Sequence, residues 1–187
     1  VIMSDTLTAA SLMQTAGTGT LTLDGAVILS ANLTFTGNNL TVNAATDVGG
    51  TTTISNAGLF STAAAGDITS VGIFGQIGAG TNELAGDIST TNSNISFATA
   101  VVVTGDVAMD TNTGLGNIVF TDILDSDTTP RNLTLSSGTG NVTFAGIVGG
   151  TNTLDVLNVN SAGITTFSDA VKATSVTTDA AGTVELD

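Results

Sequence analysis

Apolar and polar residues alternate in short runs along this chain. Leu21/Leu23, Leu33/Phe35, Ile118/Phe120 and Val142/Phe144 each place two apolar side chains either side of a single residue: Thr22, Thr34, Val119 and Thr143 respectively. A period of two marks a β-strand whose alternate side chains turn to one side. The runs are rich in Thr and β-branched residues and are punctuated by Gly, Asn and Asp, which favour turns. No amphipathic helical segment of useful length interrupts them.

The runs also recur on a ruler. Phe74, Phe97, Phe120, Phe144 and Phe167 are 23 or 24 residues apart. Gly116-Asn-Ile118-Val-Phe120 matches Gly140-Asn-Val142-Thr-Phe144, and Leu133-Thr-Leu135 matches Leu157-Asn-Val159, each pair 24 apart. After each aromatic comes an apolar or small pair (Ala100-Val101, Ile123-Leu124, Ile147-Val148, Ala170-Val171). Weaker copies extend the pattern into a ladder of inward core residues: Leu23, Val42, Phe60, Phe74, Phe97, Phe120, Phe144, Phe167 and Leu186. One step is anomalous. The 14 residues from Phe60 to Phe74 are too few for one coil, so either Phe74 belongs to a different strand or the coil near residues 61–80 is irregular.

Short strands repeating at a fixed period predict a solenoid. A meander of hairpins would want Asn-Gly or Asp-Gly at each reversal, and Asp24-Gly25 is the only such dipeptide. The expectation is an all-β, parallel β-helix of about eight coils of 18–24 residues, forming a single domain over residues 1–187. In such a coil stack, phenylalanines at one position pile on each other at the strand spacing of about 4.8 Å. Residues 182–186 read as the start of another repeat, and neither terminus carries an amphipathic cap. This reads as an internal slice of a longer solenoid, or as a subunit whose open ends are covered by neighbours.

Composition narrows the partners. Charged residues make up 10% of the chain, against roughly 25% in ordinary domains. Of these, 16 are acidic and only Arg131 and Lys172 are basic, for a net charge of −14. A phosphate backbone or an anionic membrane surface needs a basic stripe, so neither nucleic acid nor membrane is an expected partner. No apolar run is long enough for a membrane-spanning helix. Residues 1–5 lack the regions of a signal peptide, so a signal has been removed or the chain is a piece of a longer one. There is no Cys, hence no disulfide and no thiolate chemistry.

The Gly-Asn-Val-Thr-Phe, Val-Leu-Asn-Val-Asn and Thr-Thr-Phe-Ser-Asp-Ala-Val runs resemble the degenerate repeats of filamentous-haemagglutinin-like and autotransporter-passenger-like bacterial surface proteins. The likeness covers about residues 19–187. It implies a right-handed parallel β-helix, export to the cell surface, and a role in adhesion or extracellular matrix. It carries over no binding residues, because the repeats are scaffold.

Candidate chemistry is sparse. Asp122, Asp125 and Asp127 are the densest carboxylate group and a candidate Ca²⁺ site, with Asp106 and Asp110 a weaker version; a solvated acidic turn is the plainer reading. Carboxylates could hydrolyse sugars, but the chain has no His, Tyr or Trp to build a cleft. Asn-x-Thr/Ser at Asn32, Asn39, Asn94, Asn132 and Asn141 has the form of glycosylation sequons but follows from the repeat itself. Thr-x-Thr pairs at Thr18/Thr20, Thr20/Thr22, Thr34/Thr36 and Thr51/Thr53 would bind ice only if aligned on many coils; here they fall at different phases of the ladder.

The expected function is therefore structural and non-enzymatic: the shaft of an extracellular surface adhesin or matrix protein, with no cofactor. The alternative is a subunit that stacks end to end into a filament. A glycan- or Ca²⁺-binding β-helix ranks behind both. Expected partners are copies of the chain or flanking repeats at the open ends, and surface glycans or neighbouring cell surfaces.

Overall fold

The computed structural model describes residues 1–179 and 181–187. The chain winds as a parallel β-solenoid of about nine turns, of which the first seven each lay one short strand on each of three faces. The first turn shows the plan. Ile2–Met3 lies on the first face, Leu7–Ala9 on the second and Leu12–Gln14 on the third. The first face continues through seven strands to Leu124–Ser126, and then by single parallel bridges from Leu124 to Val148 and from Val148 to Val171. The second and third faces each hold nine strands, ending at Ala173–Thr178 and Thr183–Leu186.

Most of these short strands bury only two or three residues, and only stacking makes that burial continuous. The burial pattern along a strand follows the alternation read from sequence: buried, half-exposed, buried at Ile118–Phe120 and at Val142–Phe144. Inward residues form columns along the axis. On the second face Val107, Leu133, Leu157 and Val176 share one column, and Met109, Leu135 and Val159 share its neighbour. On the third face Phe97, Phe120, Phe144 and Phe167 share one. Corners are tight. A Cβ at Gly140 would lie 2.0 Å from the carbonyl oxygen of Gly116 one turn below, which accounts for the Gly that opens this repeat.

The ladder read from sequence is corrected in register. The aromatic column of the third face runs Gln14, Phe35, Ile54, Gln76, Phe97, Phe120, Phe144, Phe167, Leu186. Leu23, Val42 and Phe60 lie instead on the first face, where Leu23 pairs with Val42 and Phe60 with Leu40. Phe74 is on the third face but one inward position earlier, paired with Thr52 and Ile95. The 14-residue step thus joins two faces of one turn, with Ile68–Ser70 between them on the second face. The coil around residues 61–80 is paired on both sides of all three of its strands. Because Phe60 and Phe74 share one turn, the nine rungs from Leu23 to Leu186 span eight turns, and the turn formed by residues 2–14 is the additional one.

All seven phenylalanines are nonetheless interior. From Phe97 to Phe167 the rings stack nearly parallel, with centroids 5.7, 5.5 and 4.9 Å apart. Phe74 meets Phe97 at 5.5 Å with its plane tilted by 48°, and Phe60 meets Phe74 at 6.2 Å. The tilt follows from the register: residues two apart on a strand cannot superpose their rings.

Candidate functional site

The acidic residues singled out from sequence do not converge. Asp122 accepts a hydrogen bond from the Ile123 backbone N–H at 2.8 Å, a local turn. Asp125 points outward from the first face but lies beneath the following loop, where its carboxylate accepts from Thr151 N–H and Asn152 N–H at 3.1 and 3.0 Å. Asp127 forms a two-pronged pair with Arg131, at 3.0 Å to Nε and 2.7 Å to Nη2. That bond from the guanidinium is the main reason the Asp127 carboxyl lies below the usual carboxylate range and Arg131 above its own. Asp106 accepts from Asn132 on the next turn, and Asp110 from Asn112 nearby. Among the described residues no three acidic side chains gather as a metal would require. Period-two alternation is the reason: residues two apart share a face, but Asp122 and Asp127 lie in the turns flanking a three-residue strand.

The sequon asparagines have a structural use. Asn94 Oδ1 accepts from Asn117 N–H at 2.9 Å, Asn117 Oδ1 from Asn141 N–H at 2.8 Å, and Asn141 Oδ1 from Ile164 N–H at 2.8 Å. Asn32 and Asn39 do the same for Thr51 and Leu59. Each side chain satisfies a corner N–H that the sheet ladder leaves free. Asn132 differs: it donates to Asp106, and its own Oδ1 is buried with no partner. The Thr-x-Thr pairs do not stack as pairs: Thr34 lies over Thr53 and Thr22 over Thr41, but their pair partners Thr36 and Thr20 meet Ser55 and Asn39.

Two interior polar clusters escaped the sequence reading. At the corner between the third and first faces, Gln76 Nε2 donates to Asn56 Oδ1 at 2.7 Å, and its Oε1 accepts from Ala98 N–H and from the Thr99 hydroxyl. Asn82, fully buried beside them, donates to Thr99 and Ala100, while its Oδ1 has no partner. At the corner between the second and third faces, Thr111, Ser137 and Ser161 donate inward hydroxyls to turn carbonyls of Gly116, Gly140 and Gly140. Gln76 occupies a ladder position where Phe stands on later turns, a signal visible only once the register is known.

A groove of 440 Å³ runs along the outside of the third-to-first corner over the early turns, lined by Ala16, Gly17, Gly37, Ala57 and Ala79 with Asn56 at its floor. No titratable side chain lines it. Its lining is of small, amide and hydroxyl side chains, with Thr15, Thr36 and Ser55 contributing the hydroxyls.

These features define the chain as a parallel β-solenoid in which corner asparagines and interior hydroxyls bond to its own backbone. No family model, curated protein or solved structure matches it.

Proposed function

We propose that this chain is a structural shaft without catalytic activity, a stretch of an extracellular bacterial surface adhesin or matrix protein of the filamentous-haemagglutinin-like or autotransporter-passenger-like kind. The observation that carries the reading is the axial continuity of the stack. Parallel pairing runs along three faces through about nine turns, and asparagine side chains tie turn to turn at the corners. At the strand spacing this is a rod about 40 Å long, and each further turn adds about 4.8 Å. A hydroxyl- and amide-rich surface with 16 carboxylates and 2 cations suits a spacer that stays solvated at a cell surface. Antibody raised against the chain, applied to intact cells of the organism that makes it, is expected to label the surface. Labelling only after lysis would overturn the proposal.

A second reading, a subunit that stacks end to end in a filament, has its own support. Val184 and Leu186 occupy the core columns of Thr165 and Phe167, yet are 44% and 78% exposed. Further turns of the same protein or a second copy could cover them. Fibres with continuous strand pairing between subunits, seen by electron microscopy, would favour the filament; a monomer at high concentration would dismiss it.

A further inference from the structure

The chain's charge is distributed unevenly around its three faces. Residues 10–17, 30–37, 49–57, 72–77, 93–98, 115–121, 139–146 and 162–168 contain no charged side chain, and these segments build the third face and its margins on eight successive turns. The carboxylates lie elsewhere: Asp47, Asp67, Asp87, Asp110 and Asp155 on or beside the second face, and Glu83 and Asp125 on the first. Asp122 and Asp169 flank the third face at its far corner, and Glu185 closes it at the last turn.

The outward column of this face reads Thr34, Thr53, Gly75, Ser96, Val119, Thr143, Thr166, all in strand register. Beside it stand Asn94, Asn117 and Asn141, whose Oδ1 atoms are bonded to the next turn while their amide Nδ2 groups point away from those bonds. Most of the exposed large apolar side chains between the first and last turns also lie on this side, Ile28 on the second face and Ile123 beside the first being the exceptions. Val71, Ile73, Leu115 and Ile164 lie at the corner leading into the face or at the start of its strands, and Met13, in the first turn, is on the outward column at 67% exposure.

We infer that the third face is a lateral association surface and that its partner is a second copy of this chain, side by side. The argument is electrostatic. Two molecules of charge −14 repel wherever their carboxylates face each other, and exposed charges interact strongly within a Debye length of about 8 Å. Contact through the neutral face puts both carboxylate sets on the outer sides of the pair. A two-fold arrangement makes the face self-complementary, with Asn amides opposite Thr and Ser hydroxyls and the apolar margin covered. The strip is about 40 Å by 10 Å, so roughly 400 Å² per partner, about half of a standard stable interface. The pair is therefore weak and reversible, and its strength rises with salt as residual repulsion is screened. A flat aromatic-free strip favours this partner over a glycan, which usually stacks on aromatic rings.

Sedimentation velocity of the 187-residue chain from micromolar to millimolar concentration, in low and high salt, tests this. The expected result is a reversible monomer–dimer equilibrium that tightens with salt. Thr143→Asp with Thr166→Asp, two outward positions on the neutral face, should weaken dimerisation at least about tenfold. Ala108→Asp, outward on the second face, should leave it within about twofold, with unchanged circular dichroism in both variants. A monomer under all conditions overturns the inference, even if a neutral glycan then binds the face. So does an open-ended series of species indifferent to the Thr substitutions, which would indicate axial stacking instead.

Discussion

Single residues in this protein act mainly through their copies on adjacent turns. Phe120 lies between Phe97 and Phe144 with rings parallel to within 3° and 6°, and it is 1% exposed. Truncating it removes the largest side chain of that turn and leaves a cavity with a ring on either side. Phe120→Ala is expected to cost about 3–5 kcal/mol, measured by urea unfolding with an unchanged m-value. The alternation that put Phe120 inward was readable directly, since Ile118 and Phe120 flank a residue that turns out. The aromatic column was readable from Phe97 to Leu186, where one residue type or its apolar substitute recurs at a near-fixed spacing. Its earlier members mix Phe35 with Gln14, Ile54 and Gln76, and Gln76 is polar because Asn56, Ala98 and Thr99 complete its hydrogen bonds inside. No local pattern distinguishes such a satisfied interior glutamine from a surface one.

At the scale of the turn, corners decide what the strands allow. The loop at residues 149–153 passes over Asp125 and approaches the next turn closely. Gly149 has φ +69°, and a Cβ there would lie 2.0 Å from the Lys172 carbonyl oxygen. Gly149→Ala therefore meets both backbone strain and a backbone clash and should destabilise by about 2–3 kcal/mol, read as a lowered thermal midpoint. Corners are also where the sequence was hardest to interpret. Asp122, Asp125 and Asp127 are close along the chain, yet a three-residue strand with turns at both ends sends their side chains to three separate sets of partners. Conversely Asn94, Asn117 and Asn141 are 23 and 24 residues apart but bonded in series. Sequence proximity misleads in a solenoid, because the nearest neighbour in space is one turn away.

The whole molecule behaves as a one-dimensional stack, in which each turn contacts the turns before and after it. Removing residues 173–187, which carry the last strands of the second and third faces, should therefore shorten the rod without dissolving it. The truncated chain is expected to keep a β-rich circular dichroism spectrum and to unfold at a lower temperature, because Phe167 and Leu157 become the new uncovered end. Complete loss of structure would contradict a nearest-neighbour stack. The 24-residue repeat, the Thr-rich alternating strands and the scarcity of hairpin turns already specified a parallel β-helix. Those are local properties: side-chain period, turn chemistry and spacing are all written along the chain. The three-faced section, the assignment of Phe60 and Phe74 to two faces of one turn, and the charge-free third face come from register, which depends on how many residues each corner absorbs. Corner lengths vary from turn to turn, and only the closing of hydrogen bonds between successive turns sets which residue lies above which.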